Sequence, residues 1–355
     1  MWEIFVGAMG GGFDAVLYYL VQHTINCLVP AFFIAGAIAA LIRKDAILKF
    51  FGPDVKKYKS YSVASVSGTI LAVCSCTILP LFAGIFKKGS GLGPATTFLF
   101  AGPAINLLAI IYTAQVLGLE LGAARAFFAI IMSIIIGLAM AYMFKLDDNA
   151  TREKLVSIPS GPEENPKPRW VVPTFFIALV GILLFGASAI DLITKLAVVF
   201  ALIIAVVYLL IRYFTKDEAV EWGLETWDLT KKIFPILIIG TFLVGVFAYF
   251  VPPESFRPYL GENDLSSVLL ASLLGALLYM PTLLEVPIVG GTLGYSTGVM
   301  ASGPALALLL AGPTTSLPAL VVLYRIMGLK RTMVYWVLVI VMSVIAGMLF
   351  GLIIG

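Results

Sequence analysis

The stretch Gly91-Leu92-Gly93-Pro94-Ala95-Thr96-Thr97-Phe98-Leu99-Phe100-Ala101-Gly102-Pro103-Ala104-Ile105-Asn106 is mostly apolar and is punctuated by Gly-Pro pairs. It has a counterpart in the second half of the chain. Gly303-Pro304 answers Gly93-Pro94, and Ala311-Gly312-Pro313 answers Ala101-Gly102-Pro103 at the same offset. Toward the N-terminus, across one short insertion, Pro80, Gly84 and Gly91 fall on Pro287, Gly291 and Gly298, and Gly68 falls on Gly275. Pro30 has its counterpart in Pro235. Gly and Pro are common in membrane helices, but these matches keep register over a long stretch. Repeats matched at Gly and Pro inside apolar segments mark transporters, whose interrupted helices line the solute site in both halves.

Composition agrees with a membrane chain. Of 355 residues, 61% are hydrophobic and 12% are charged, whereas soluble domains carry about 25% charged residues. The apolar runs predict an all-α integral membrane protein of about ten transmembrane helices, each roughly 20 residues long. The predicted spans are Phe13–Ile42, Tyr61–Phe86, Gly93–Leu117, Leu121–Phe144, Val171–Ile190, Leu196–Phe214, Thr226–Phe250, Leu265–Met280, Met300–Met327 and Thr332–Ile354. They divide the chain into a first repeat of four spans (1–144), an exposed polar loop (145–170), a central transmembrane hairpin (171–214), an acidic connector (215–225) and a second four-span repeat (226–355). Some of the Pro/Gly-broken helices are expected to be re-entrant.

The opening residues are Gly-rich with no basic n-region, so no cleavable leader is expected. The even number of spans between the two repeats implies parallel units. The basic loop with Arg43, Lys44, Lys49, Lys56, Lys57 and Lys59 reads as cytoplasmic. Its counterpart holds Glu254, Glu262 and Asp264 against Arg257 alone, which implies inverted units. Both relations stay open.

A proline inside a helix removes one donor and frees the carbonyl four residues earlier, which membrane proteins accept where the break lines a cavity. Pro80, Gly84, Pro103, Pro287, Gly291 and Pro313 therefore outline the expected solute path, with Pro30 freeing the carbonyl of Asn26. Cys74-Ser75-Cys76 lies just before Pro80. Side chains two apart on an intact helix diverge, so both thiols meet one solute only if the backbone there is unwound. Thiolates select soft, thiophilic species, so Cys74 and Cys76 are the candidate ligands of a transported metal or metalloid. As filler they would pack like small hydrophobes.

Glu285, in Leu284-Glu285-Val286-Pro287, matches Ile78 of the first repeat. A carboxylate at bilayer depth marks a solute path or a proton relay, so Glu285 is expected to titrate during transport, unless it stays wetted as the cap of a re-entrant turn. His23, Asn26 and Cys27 share one helix face at i, i+3 and i+4, which makes His23 and Cys27 either path residues or hydrogen-bonded interior groups. Asn106, and Thr314, Thr315 and Ser316 in the other half, each follow a Gly-Pro break. They either open a half-helix toward a polar solute or bond neighbouring helices. Lys87-Lys88 before Gly89-Ser90-Gly91 reads as a solvated turn or a snorkelling pair rather than a phosphate cradle.

Taken together, Cys74-Ser75-Cys76, Pro80-Leu81-Phe82-Ala83-Gly84 and the Gly91 to Asn106 block resemble the ArsP or YraQ-like family of prokaryotic permeases. The resemblance extends to Glu285-Val286-Pro287 and Ala311-Gly312-Pro313. It implies a multi-pass protein of the prokaryotic inner membrane, and, for some members, efflux of trivalent organoarsenicals. The residues themselves fit zinc, cadmium or a sulfur-containing solute nearly as well. The expected partners are the lipid bilayer, a small solute and protons as coupling ion, with no cofactor and no nucleic acid. No nucleotide-binding, metalloprotease or nucleophile-elbow motif occurs, so a secondary transporter is expected ahead of a pump, a channel-like pore or an intramembrane cysteine enzyme.

Overall fold

The computed structural model describes residues 2–21, 28–41, 55–71, 75–87, 89–145, 168, 170–187, 191–250, 253–278 and 284–354. Every regular element among them is helical. A first series comprises α1 (Trp2–Tyr19), α2 (Val29–Leu41), α3 (Lys57–Leu71), α4 (Ser75–Lys87), α5 (Leu92–Ala104), α6 (Leu107–Val116) and α7 (Leu119–Met143). The hairpin of α8 (Val171–Ala187) and α9 (Leu192–Tyr213) follows. A second series comprises α10 (Lys216–Phe250), a 3₁₀ segment (Pro253–Tyr259), α11 (Leu265–Leu277), a turn Glu285–Pro287 that runs into a π turn (Ile288–Thr292), α12 (Ser302–Ala311), α13 (Leu317–Met327) and α14 (Leu329–Ile354).

Several expected spans are not single helices. Gly93–Leu117 resolves into α5 and α6, bent by 41°, and Met300–Met327 resolves into α12 and α13. Proline and the residue before it resist continuous helix, so these two spans break at Gly102-Pro103 and Gly312-Pro313, whereas Gly93-Pro94 and Gly303-Pro304 lie in the first turns of α5 and α12. Among the described residues, Leu119–Met143, Ile193–Tyr213 and Leu329–Ile354 are each long and apolar enough to cross a membrane unaided. Pro30 sits in the first turn of α2, and Asn26, whose carbonyl it was expected to free, lies outside the described residues. The acidic stretch is helical from Lys216 onward and continuous with α10. A reciprocal cap starts it there: the Glu218 N–H donates to the Thr215 hydroxyl at 3.2 Å, and the Thr215 N–H donates to the Glu218 carboxylate at 2.9 Å.

The outward faces are apolar. Ile193, Phe200 and Ile211 on α9 are 78%, 65% and 79% exposed, a surface that water would not tolerate and lipid does. The hairpin is anchored from its other helix. Phe175 on α8 packs against Trp222 of α10 and Phe214, and the Trp222 indole N–H donates to the Phe33 carbonyl of α2 at 2.8 Å.

Corresponding helices of the two series pack alike. α5 lies against α3 and α7, and α12 lies against α11 and α14. At the first crossing a Cβ on Gly93 would stand 2.9 Å from the Gly137 carbonyl, and at the second a Cβ on Gly303 would stand 2.8 Å from the Gly347 carbonyl. Gly118 and Gly328, which precede α7 and α14, both hold positive φ, at 107° and 84°. All three glycine pairs, Gly93/Gly303, Gly137/Gly347 and Gly118/Gly328, share one offset in the chain.

Candidate functional site

The break between α5 and α6 and the turn at Glu285 face each other across the two series. The Glu285–Pro287 turn packs on α6 of the first series, and α4 of the first packs on α13 of the second. Each broken element thus docks on the helix after the Gly-Pro break of the other series. The turn continues into the π turn Ile288–Thr292, a geometry frequent at functional sites.

Within this junction lies an ion pair. Arg125 on α7 donates from Nη2 to Glu285 Oε2 at 3.1 Å, and both side chains are 0% exposed. Arg125 Nη1 donates to the Thr113 hydroxyl of α6 at 3.0 Å, and that hydroxyl spends its own proton on the Ala109 carbonyl at 2.6 Å. Thr113 is thereby fixed as an acceptor and holds the guanidinium whether or not Glu285 is charged. The pairing leaves capacity unused: Arg125 Nε and Glu285 Oε1 are buried with no hydrogen-bond partner among the described residues. Oε1 lies against Gly312, where a Cβ would collide with it. Gly312 in the Gly-Pro break of α12 is the space that admits the carboxylate.

The other break residues serve the backbone. Thr314 and Thr315 are buried, and their hydroxyls donate to the carbonyls of Leu310 and Ala311 at the end of α12. Ser316 caps α13 by accepting from the Ala319 N–H at 3.4 Å. Asn106 is buried immediately before α6, and its carbonyl accepts from Ile110. The hydroxyl protons of Thr314 and Thr315 go to carbonyls at the end of α12, which is how membrane proteins keep broken helices satisfied. Pro80 and Gly84 lie inside α4, Pro103 inside α5 and Pro287 in the Glu285 turn. Gly291 lies in the π turn and Pro313 just after α12.

His23, Cys27 and Cys74 fall outside the described residues, as does Asn26, and for Cys76 only the backbone, in the first turn of α4, is described. Among the described residues no group of three His, Cys, Asp or Glu is placed to hold a metal ion. The principal neighbours of α4 are α2, α5, α13 and α10, whereas those of the Glu285 turn are α6 and the π turn.

Arg125 is the functional candidate that sequence reasoning missed. It sits in the predicted span Leu121–Phe144, close enough to its start to pass for a snorkelling side chain. The signal that finds it is pairing: a carboxylate sealed at bilayer depth requires a cation, and α7 offers one. Lys87 corrects a second expectation. It is not a merely solvated turn residue, because its ammonium reaches Glu225 at 2.7 Å and Asp228 at 3.1 Å on α10. Partial burial opposes its charge, but these hydrogen bonds outweigh it and raise its pKa. Asp228 also accepts from Lys232 at 2.7 Å.

A family model described as a predicted permease matches residues 11–352. The chain is 39% identical over 352 residues to the UPF0718 protein MJ0584 of Methanocaldococcus jannaschii, covering 96% of this chain and 95% of that relative. It is 22% identical over 333 residues to the UPF0718 protein YraQ of Escherichia coli, covering 94% of this chain and 78% of that relative. No solved structure matches.

Proposed function

The chain belongs to the ArsP_1 family of predicted permeases, and from that premise we propose that it is a secondary transporter of a small thiophilic solute, with Glu285 as its proton-coupling carboxylate. The observation that carries the reading is the Arg125–Glu285 pair, 0% exposed and joining α7 of one series to the proline-broken turn of the other. Ionisable groups sealed at bilayer depth are costly and mark solute or proton paths. The recurring crossings at Gly93/Gly137 and Gly303/Gly347 support the two-repeat architecture, in which the path runs between the repeats.

The solute class rests on Cys74-Ser75-Cys76 beside Pro80. Trivalent organoarsenicals, the cargo that the family resemblance implies, head the candidates, moved outward across a prokaryotic inner membrane. Zinc, cadmium and sulfur-containing solutes share the thiol chemistry. Vesicle transport over arsenite, methylarsenite, zinc, cadmium and thiosulfate tests this, with the Cys74→Ser/Cys76→Ser variant alongside wild type. The expected result is a loss of at least ten-fold for one solute. A double variant that moves every solute as wild type does overturns the thiol site. For coupling, Glu285→Gln is expected to abolish the dependence of transport on the proton gradient, and an unchanged dependence rejects that role.

A further inference from the structure

We propose that Arg125 is a solute-binding residue for a small anion, freed when Glu285 takes up a proton, so that one anionic charge and one proton move together. This rests on the transporter reading above and narrows it to a charge class.

Three observations carry the step. The pair is incomplete: one oxygen of Glu285 meets one terminal nitrogen of Arg125, leaving Nε and Oε1 buried and without a partner among the described residues. A pair built for stability alone would use the planar fork in two parallel bonds. Unused hydrogen-bonding capacity in a buried pair is costly and calls for an explanation.

Second, the fold does not need the pair. The offset that carries Gly93 and Gly137 onto Gly303 and Gly347 carries Arg125 onto Tyr335, and Glu285 corresponds to Ile78. Both counterparts are buried and uncharged, yet α14 packs on α12 as α7 packs on α5. A charge kept in only one of two similar junctions serves something other than packing.

Third, the cation has a support that survives loss of the carboxylate charge. Thr113, its proton already given to Ala109, still accepts from Arg125 Nη1. A neutral Glu285 therefore leaves a positioned guanidinium with an unpaired positive charge at bilayer depth. An anion is the species that compensates it, and Zn²⁺ or Cd²⁺ would be repelled. The surrounding elements offer few other charges: α7 also carries Glu120 at its start, near Tyr295 of the loop after the π turn, α6 carries Tyr112, and α12 carries none. Direction follows whichever of the two gradients, proton or anion, is larger.

The test uses the full-length protein in proteoliposomes loaded with a pH-sensitive dye, clamped at zero membrane potential. The probes are the anions thiosulfate and thiocyanate added at pH 6 and pH 8, with methylarsenite and Cd²⁺ for comparison. Wild type is expected to take up protons when an anionic probe is added, and faster at pH 6. Arg125→Gln should lose anion-driven proton uptake at least ten-fold. Glu285→Gln should lose the pH dependence of anion counterflow and the proton flux that accompanies it. The variant Arg125→Gln/Glu285→Gln, free of unpaired charge, guards against misfolding and should restore thermal stability without anion transport. Anion counterflow by that double variant within two-fold of wild type makes the pair structural and overturns the proposal. Wild type that moves methylarsenite or Cd²⁺ but no anion overturns the proposal and leaves the transporter reading intact. Wild type that moves none of the probes overturns both.

Discussion

The two helical series build the same crossing twice and then diverge in what they bury beside it. In the first, Gly93 meets Gly137, with Tyr61 and Thr97 closing in; in the second, Gly303 meets Gly347 beside Val268 and Asn263. The Asn263 side chain accepts from the Gly303 N–H at 2.8 Å, supplying a cap to α12. One turn into α7 stands Arg125, and at the matching place in α14 stands Tyr335, its hydroxyl buried without a partner. Shared glycines set how close the helices come. The residues that differ set what the junction can do.

The largest test of this contrast is to strip the charge from one side of the pair. Arg125→Leu or Glu285→Leu alone is expected to cost about 3–5 kcal/mol, because each leaves a buried charge uncompensated, whereas the double Leu variant should be near neutral or stabilising. Thermal unfolding in detergent measures all three, and a double variant as unstable as the singles would show that the junction needs its charges. Tyr335→Phe, at the matching position, should change stability by under about 1 kcal/mol, since the hydroxyl it removes has no partner.

Gly312→Ala comes next. Its methyl would collide with Glu285 Oε1, and overpacking of this kind costs about 1–3 kcal/mol. Combining it with Glu285→Ala should remove that cost, and a purely additive double mutant would reject the contact. Gly93→Ala and Gly303→Ala then probe the shared part. Each new methyl would meet a backbone carbonyl within 3 Å, so each is expected to cost about 1–3 kcal/mol, with the two agreeing to about 1 kcal/mol. Unequal losses would break the likeness of the halves.

The smallest effects belong to the polar edges. Lys87→Ala should cost about 0.2–1 kcal/mol despite its two acidic partners, because such pairs are screened by solvent. Asp264, which caps α11, is held down to about 2 from 3.8 by hydrogen bonds from Ser266 and Ser267. A depressed carboxylate contributes stability fully above its unfolded value, and loses it as pH falls from about 4 toward 2. Unfolding midpoints should therefore be flat with respect to this group above pH 5, and Asp264→Asn should remove a small acid-side slope.

Much of the architecture could be read from residue order. The Gly-Pro matches marked where spans would break, and Glu285 stood out as a charge in an apolar run. The missing half of that inference was Arg125. Sequence gives no reason to join position 125 to position 285, since the contact depends on α7, α6 and the Glu285 turn meeting across the two series. Thr314, Thr315 and Ser316 show the converse. Their type and place were plain, but their hydrogen bonds follow from the geometry of the α12 break, where Leu310 and Ala311 accept from the two threonines and Ala319 donates to Ser316.

The sequence by itself determined that this chain lives in lipid, because so many apolar residues in long runs have no soluble arrangement that could bury them. It also marked the breaks at Gly102-Pro103 and Gly312-Pro313, since proline lacks the donor that a continuous helix requires, although Pro80 and Pro235 lie inside continuous helices. Tertiary structure decided which groups meet at those breaks. A guanidinium and a carboxylate far apart in the chain become one buried pair only when two broken elements dock on each other, and in a medium without water that pairing alone makes both charges tolerable.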